Sequence, residues 1–425
     1  MVDLRPVRGT RDFLPADSRL RRHVERIAGE TAERFGYGEF ATPIFEFTDV
    51  FQRTLGDSSD IVTKEMYTFA DRNGDLITLR PENTAGIARA VLSNKLIQQL
   101  PLRVYYQGPM FRYERPQKGR LRQFHQVGAE LIGVADPLAD VEVILLAADV
   151  LKALGLTDRV TLEINTLGDV DSRAAYRAVL VDYLGAHVDA LSDDSRTRLE
   201  RNPLRVLDSK DTGDRRIIDG APILDDHLNA ASRDFFARVC AGLDAVGIGY
   251  RRNPRLVRGL DYYCHTAFEF VTEALGAQGT VLAGGRYDGL IAEMGGPPTA
   301  GTGWAAGVER LMLLVGEAVA PAPRPIALLT LGTEQAGPTL RLAERLRGGG
   351  RRVEFAFGGS LGKQMKWANR IGARIAVIVG SDEAARNVAA VRDMDSGAQE
   401  EVSLDGTAIE AVIEAATEDR LARPA

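Results

Sequence analysis

Two long strand-like segments separated by a short basic loop constrain the fold of this chain more than any other feature. The segments are LRVYYQGPMFRYE and LRQFHQVGAELIG, and the loop is RPQKGR. Extended runs joined by a short polar loop predict a long antiparallel hairpin. Antiparallel strands argue against a doubly wound nucleotide-binding fold, whose sheet is mostly parallel. We therefore expect an antiparallel sheet in the first half of the chain.

Helical segments flank this hairpin. Residues 17–36 predict an amphipathic helix that Asp17 caps and Gly36 ends, and residues 138–155 predict another helix. Between about 171 and 252 the pattern is mostly helical and highly charged, and strands resume at RLVRGLDYY and AFEFVT. We interpret the charged stretch as a helical insertion that splits one sheet. GTGWAAGVERLMLLV reads as a glycine-rich turn before a buried helix.

The segment EAVAPAPRPIA reads as a linker because it holds three prolines and four alanines. Beyond it, helical patterns over 335–347 and 361–372 alternate with the apolar runs IALLTL, VEFAF and IAVIVG. A β-α-β-α-β order predicts a small α/β domain with a mostly parallel sheet. The expected domains are residues 1–325, including the insertion, and residues 326–425.

Composition excludes several classes of protein. Of the 425 residues, 45% are hydrophobic and 26% are charged, which excludes a disordered or fibrous chain. Two cysteines suit a reducing compartment, and the amino terminus lacks the apolar segment of a signal peptide. No run of apolar residues reaches membrane-spanning length. We expect a soluble, cytoplasmic protein.

The net charge of the chain is −6, but two of its segments are strongly basic. Residues 341–374 carry nine basic and two acidic side chains, and residues 103–122 carry six basic side chains and one acidic. Phosphate binding depends on the local field rather than on the sum over the chain. Either segment could therefore meet a nucleic acid, with a solvated helix face as the alternative.

The common phosphate-loop, dinucleotide-binding and metal-binding motifs are missing from the sequence. GGSLGKQ lacks the spacing of a phosphate-binding loop, and GTGWAAG misses the dinucleotide pattern by one residue. The five histidines have no metal-ligand spacing, so we expect no resident metal.

The second strand of the hairpin carries polar side chains on one face. Phe124, Gln126, Gly128 and Glu130 alternate, so the period of a strand places them together. A buried face with an amide and a carboxyl group is costly unless these groups meet a polar ligand. Arg112 on the facing strand offers a planar group for a phosphate or carboxylate. An internal Arg–Glu pair is the alternative.

Further candidates lie in three other segments. Arg258 in LVRGLDYY stands in an apolar run, where an ion pair with Asp261 is the alternative, and strand parity separates it from Tyr263. Glu82 in LRPENTAG follows a proline at a strand end, where side chains often enter a cleft; a solvated turn residue or a helix cap is the alternative. In GGRYDGL, Tyr287 follows two glycines that permit close approach of the backbone.

Together these motifs resemble those of the histidyl-tRNA synthetases, a family of class II aminoacyl-tRNA synthetases, over essentially the whole chain. The segment ending near Pro43, FRYERPQKGRLRQFHQVGAE and GTGWAAGVERL resemble the three class motifs, and LVRGLDYY and AGGRYDGL resemble segments peculiar to the histidine enzymes. The resemblance implies an α+β fold: a six-stranded antiparallel core flanked by helices, a helical insertion and a C-terminal α/β anticodon-binding domain.

The resemblance also implies an activity. Such an enzyme activates L-histidine with ATP and Mg²⁺ to histidyl-adenylate, releases pyrophosphate, and transfers histidine to the 3′ end of tRNA(His). It implies a homodimer, no membrane and no tightly bound organic cofactor.

Residue roles are implied only where the motifs match. The implied catalytic residues are Arg258 and Arg112, with Arg258 between the histidine carboxylate and the α-phosphate. Glu82, Thr84 and Gln126 would hold the amino group of histidine, and Glu130 and Tyr263 its imidazole. The full implied histidine set is Glu82, Asn83, Thr84, Gln126, Glu130, Tyr262, Tyr263 and Tyr287; the ATP set is Arg112, Arg120 and Arg310; the tRNA acceptor set is Arg115 and Gln117.

Three alternatives stay open on the sequence. A regulatory subunit of a histidine-biosynthesis enzyme would share the core, but such relatives generally lack the C-terminal domain and degrade the arginine motifs. Another amino-acid specificity of the same class is disfavoured by LVRGLDYY and AGGRYDGL. A module that only binds tRNA is disfavoured because the catalytic set is complete.

Overall fold

The structure is a computed structural model that describes residues 4–56, 59, 61–258, 260, 262–276, 279–316, 322–404 and 407–418. The chain divides into two compact units, residues 1–319 and residues 320–425. No helix in the described ranges is both long and apolar enough to cross a bilayer.

The first unit alternates short elements with the long hairpin predicted above. Its strands are β1 Gly38–Glu39, β2 Phe45–Phe47, β3 Tyr67–Ala70, β4 Leu76–Leu79, β5 Leu102–Phe111, β6 Gln123–Ile132, β7 Thr161–Thr166, β8 Arg251–Arg252, β9 Cys264–Val271, β10 Thr280–Arg286 and β11 Gly301–Gly307. Its helices are α1 Pro15–Arg34, α2 Asp49–Leu55, α3 Thr84–Ser93, α4 Leu138–Ala153, α5 Val170–Gly185, α6 Asp193–Arg201, α7 Thr212–Asp219, α8 Ala230–Ala245, α9 Leu290–Glu293 and α10 Val308–Val315.

The central sheet is antiparallel except at its edges. Its strand order is β1-β5-β6-β11-β10-β9-β7-β8. The strands from β5 to β7 pair antiparallel throughout, whereas the two-residue strands β1 and β8 add in parallel at the rims. In the hairpin, Leu102 faces Ile132 and Phe111 faces Gln123. The predicted antiparallel core is therefore confirmed.

Two segments differ from their predicted structure. GTGWAAG is not a turn but the central strand β11, because its glycines leave room for large side chains packed on the sheet. The described residues of RLVRGLDYY form no strand: the chain turns at Pro254–Arg255, and the next strand begins at Cys264. The parity argument for Arg258 and Tyr263 therefore does not apply. Helix α1 begins at Pro15, and its N-cap position is Leu14 rather than Asp17.

Both faces of the sheet are covered. Helices α1, α4 and α10 pack on one face around side chains such as Tyr105, Val127 and Phe268. Helix α3 packs on the other face with Val104, Tyr106 and neighbouring residues. Alternation along β5 thus sends successive side chains to opposite cores.

Helices α5 to α8 separate β7 from β8 along the chain. The insertion has its own apolar cluster around Tyr176, Leu180, Val206 and Ile218. This cluster shows that the charged stretch of sequence folds as helices around a small core.

The second unit is a separate α/β fold. Its strands are β12 Ile326–Thr330, β13 Val353–Phe355, β14 Ile375–Val379, β15 Val388–Asp393 and β16 Gln399–Ser403, and its helices are α11 Ala336–Gly348, α12 Leu361–Arg370, α13 Ser381–Ala385 and α14 Thr407–Glu418. In the order β13-β12-β14-β15-β16, the first three strands are parallel and the last two add antiparallel. The sheet is therefore mixed rather than mostly parallel.

Candidate active site

A cavity of about 400 Å³ lies against the central sheet in the first unit. The hairpin, β10, β11 and the start of α10 line it, together with the loop before α3 and the segment before β9. Nine of the predicted site residues line this single cavity: Glu82, Thr84, Arg112, Arg120, Gln126, Arg258, Tyr262, Tyr263 and Arg310.

The loop before α3 places a carboxylate at the cavity wall. Both Glu82 oxygens accept backbone N–H bonds at the start of α3, from Thr84 at 2.6 Å and from Ala85 at 2.9 Å. Burial raises the pKa of Glu82 above its usual value. Glu82 is therefore both a helix cap and a cavity residue, so the two readings of the sequence are compatible.

Glu130 lies directly behind this wall. The Thr84 hydroxyl donates to Glu130 Oε1 at 2.8 Å, and the Tyr287 hydroxyl donates to Oε2 at 2.6 Å. The side chain is almost completely buried, and burial raises its pKa to about 8. A buried carboxyl group held by two hydroxyls can exchange a proton or hydrogen bond with a ligand near Thr84.

Gln126 and the tyrosines complete this end of the cavity. The Oε1 atom of Gln126 is buried and has no hydrogen-bond partner among the described residues. An orphaned buried acceptor is costly, so it calls for a donor from a ligand. The ring of Tyr262 packs 4.6 Å from that of Tyr263 and 5.8 Å from that of Tyr287, centroid to centroid. This end thus offers hydrogen-bond acceptors inside an aromatic wall.

Three guanidinium groups gather at the other end. Arg310 Nε donates to the Gly119 carbonyl at 3.0 Å, and Arg112 Nε donates to the Pro81 carbonyl at 2.9 Å. Arg120 pairs with Glu114 at 2.7 Å. Burial lowers the pKa of Arg310, and the nearby charges of Arg120 and Arg112 lower it further. Cations held close together in this way form a site for a polyanion.

Arg258 lines the same cavity beside Tyr263. Its guanidinium pairs with Glu269 and lies 5.1 Å from the centroid of the Tyr263 ring. Glu269 also accepts a hydrogen bond from the Thr280 hydroxyl at 2.8 Å. The alternative partner, Asp261, falls outside the described residues. The Arg258 cation is thus anchored by a carboxylate that itself lines the cavity.

Comparison with known proteins assigns this arrangement to a family. The family model described as Histidyl-tRNA synthetase matches residues 9–311, and the one described as Anticodon binding domain matches residues 326–414. The chain belongs to the histidyl-tRNA synthetase family. A histidine–tRNA ligase of Rhodospirillum rubrum is 63% identical over 95% of this chain and 97% of its own. One of Gluconacetobacter diazotrophicus is 56% identical over the same shares.

Solved structures of the family share the fold. The apo histidyl-tRNA synthetase of S. aureus superposes with a TM-score of 0.79 and 34% identity, covering 97% of this chain and 99% of that one. A Bacillus halodurans C chain described as ATP phosphoribosyltransferase regulatory subunit/histidyl-tRNA synthetase gives 0.68 and 24% identity, covering 89% of this chain and 98% of that one. The second likeness concerns the fold alone.

Five of the residues implied by this family resemblance do not line the cavity. Glu130 and Tyr287 lie behind it: Glu130 accepts from the Thr84 hydroxyl, and Tyr287 donates to Glu130. Asn83 faces away, because its Oδ1 accepts from the Thr42 hydroxyl at 2.6 Å and from Arg80 at 3.2 Å. Direct contact between the Asn83 side chain and histidine is therefore unsupported. The exposed residues Arg115 and Gln117 lie in the hairpin loop.

Arg286, which the sequence places beside Tyr287, is structural in this family member. It is fully buried and pairs with the equally buried Asp140. The internal Arg–Glu pair considered for Arg112 does not form, because Arg112 donates to a carbonyl instead and Glu130 bonds to hydroxyls.

Several cavity residues were missed by the sequence analysis. Asp208 and Lys210 come from the helical insertion, Glu269 and Thr280 from β9 and β10, and Glu309 from α10. Glu309 precedes Arg310 in the motif GTGWAAGVERL. The alternation of FEF in β9 could have pointed to Glu269, since a charged residue between two buried aromatics needs a partner. No local pattern identifies Lys210.

Proposed function

We propose that this chain is a histidine–tRNA ligase that activates L-histidine with ATP and transfers it to the 3′ end of tRNA(His). The supporting observation is the single cavity, in which the acceptors around Glu82 and Gln126 adjoin the cluster of Arg112, Arg120 and Arg310. One end suits a cationic amino group and the other a polyphosphate. We assign residues 1–325 to catalysis and residues 326–425 to anticodon binding.

The first chemical step joins two anions. A carboxylate oxygen of histidine attacks the α-phosphorus of ATP, the new P–O bond forms, and the bond to pyrophosphate breaks. Arg258 and Arg112 are the catalytic residues in this proposal, because guanidinium groups stay charged and can neutralise the negative charge of the transition state. Arg120 and Arg310 hold the remaining phosphates.

Selection of histidine follows from the other end of the cavity. Glu82, Thr84 and Gln126 accept hydrogen bonds from the amino group, and Glu130 and Tyr263 contact the imidazole, inside the wall formed by Tyr262 and Tyr287. An amino acid without ring nitrogens leaves these buried polar groups unpaired, which weakens its binding strongly.

Mg²⁺ enters this proposal with ATP. The described residues contain no group of three or more side chains that could hold a metal ion. This side-chain composition fits a Mg²⁺ ion that is bound mainly by the ATP phosphates and by water, with one or two carboxylates from the protein. The metal would reduce the negative charge on the phosphates.

The tRNA meets two surfaces in this proposal. Arg115 and Gln117, exposed in the hairpin loop, contact the acceptor end. In the second unit, Lys363, Lys366 and Arg370 are exposed along one side of α12, at positions that share a helix face. Lysines and arginines on one face supply the charge that phosphates require.

A small sheet whose aromatic face is exposed supports a homodimer. In the three-stranded sheet β2-β4-β3, Phe45, Phe47 and Phe69 are 50%, 62% and 49% exposed, whereas Glu46 and Thr78 on the opposite face are buried. An exposed aromatic face calls for a covering partner, and a second copy of the chain is the one we propose.

The dimer is tested by Phe47→Asp with Phe69→Asp. Light scattering should show a dimer for the unsubstituted protein and a monomer for the double variant. A monomeric parent protein contradicts the proposal. A cytoplasmic location stays a prediction of the sequence.

The function itself is tested by charging. With ATP, Mg²⁺ and radioactive histidine, the purified protein should form acid-precipitable histidyl-tRNA(His). A tRNA with another anticodon and acceptor end serves as the control. Failure to charge tRNA(His), with histidine and ATP still bound, would favour the regulatory-subunit alternative.

A further inference from the structure

The helical insertion reaches the catalytic cavity through one short segment. Asp208 and Lys210 line the cavity and are exposed, whereas Ser209 between them is buried. Among the described residues of the insertion, these two alone line that cavity. An alternation of exposed, buried and exposed side chains indicates that the segment is anchored in the insertion at Ser209.

The anchor is the carboxylate of Asp214. Its Oδ2 accepts from the hydroxyls of Ser192, Ser195 and Ser209 at 2.7, 2.6 and 2.6 Å, and Oδ1 accepts from the Ser192 N–H at 2.8 Å. Asp214 is fully buried. Four donors on one buried carboxylate join the start of α6, the segment of residues 208–210 and α7 into a rigid unit.

We propose that Lys210 binds a phosphate group of a substrate in the catalytic cavity and that Asp214 is the positioning residue that holds Lys210 there. The proposal rests on the proposed function, because it names a further contact of the same site. It adds a cation from the insertion to the arginines that the hairpin and α10 supply.

The charge and surroundings of Lys210 support this role. No ion pair joins its ammonium group to a carboxylate of the described residues. Arg120 and Arg258, by contrast, are each paired with a glutamate. A lysine is a mobile point charge on a flexible stem, suited to a phosphate that moves during reaction. That phosphate belongs either to ATP or to the acceptor end of tRNA.

Two reactions distinguish the sources. ATP–pyrophosphate exchange with histidine, without tRNA, reports contact with ATP. Single-turnover transfer from enzyme-bound histidyl-adenylate reports contact with tRNA. We expect Lys210→Ala to lower kcat/KM for exchange, or the single-turnover rate constant of transfer, by about tenfold, the scale of a lost hydrogen bond to a charged group. In the exchange reaction the loss should appear as a higher KM for ATP at constant KM for histidine.

Matched variants separate this contact from a general loss of structure. Lys210→Arg should retain most of the activity. Arg215→Ala removes an exposed cation of α7 that does not line the cavity, and it should leave both reactions unchanged. Unchanged kinetics of Lys210→Ala in both reactions would overturn the proposal.

The positioning role has its own pair of variants. Ser209→Ala and Ser195→Ala each remove a 2.6 Å bond to the same Asp214 oxygen, but Ser209 alone adjoins Lys210. In the reaction that Lys210→Ala impairs, we expect Ser209→Ala to lower the rate several-fold. Ser195→Ala should have no kinetic effect. In a Lys210→Ala background, Ser209→Ala should add nothing. Equal effects of the two serines would show a merely structural role.

Failure of the proposed function gives a different result. If the unsubstituted protein activates no amino acid, the function fails, and equilibrium binding of ATP and of tRNA(His) to it and to Lys210→Ala still tests the contact. Equal affinities of the two proteins for both ligands would in that case overturn the Lys210 proposal as well.

Discussion

Gly303 of β11 lies so close to Glu130 that one added methyl group must displace the carboxylate. A β-carbon at this position would be 1.8 Å from Glu130 Oε2 and 2.5 Å from the Ala129 carbonyl oxygen. Ordinary contact begins at 3.4 Å, so the carboxylate must move by the difference, 1.6 Å. We therefore expect Gly303→Ala to break the bonds of Glu130 to Thr84 and Tyr287.

Two magnitudes follow from this displacement. Overpacking of a buried site lowers the free energy of unfolding by about 1–3 kcal/mol, which a domain of this size tolerates. A shift of about 1 Å in a substrate-positioning group can lower the rate by about a hundredfold. We expect kcat/KM for histidine in ATP–pyrophosphate exchange to fall by at least that factor, mainly through KM.

Exchange kinetics at varied histidine, combined with thermal unfolding, check this prediction. Gly38→Ala is the control, because a β-carbon on Gly38, in the same sheet, has no atom within 4 Å. A folded Gly303→Ala protein with an unchanged KM for histidine would refute the role of Glu130.

Three further predictions concern the rest of the site. Arg258→Ala should slow adenylation by at least about a hundredfold, the cost of one lost electrostatic partner; a near-normal exchange rate contradicts its role. Burial raises the pKa of Glu130 to about 8, so between about pH 5 and 8 the folded protein holds a proton that the unfolded chain releases. The free energy of unfolding, relative to that of Glu130→Gln, should therefore fall as pH rises, by up to about 1.4 kcal/mol per pH unit. If the two proteins show the same dependence of unfolding free energy on pH, the raised pKa is excluded. Lys363→Glu with Lys366→Glu should raise KM for tRNA and leave exchange unchanged; equal losses in both would indicate misfolding.

The antiparallel core was predictable because its signal is local. The strands of the hairpin and their loop are contiguous in the chain, and the alternation of Phe124, Gln126 and Glu130 sets one face. The three class motifs and the segments peculiar to the histidine enzymes narrowed the family further. For these reasons the fold and family were predicted from the sequence.

The errors arose where long-range packing decides the local structure. GTGWAAG reads as a turn because glycine is rare in strands, yet Gly301 and Gly303 are needed so that Tyr287 and Glu130 can lie against β11. The motif LRPENTAG predicts a common role for Asn83 and its neighbours, but Thr42 and Arg80 hold the Asn83 side chain outside the cavity. The position of Lys210 at the cavity depends on how the helical insertion packs. No periodicity in the sequence around Lys210 encodes that packing.

The central claim is that the cavity activates histidine, and amino-acid-dependent ATP–pyrophosphate exchange tests it most directly. The purified full-length protein is assayed with each of the twenty amino acids, with ATP and Mg²⁺ and without tRNA. Exchange that depends on histidine alone is the predicted result. Exchange with a different amino acid would contradict the assignment of the pocket, and no exchange with any amino acid would contradict the proposed activity.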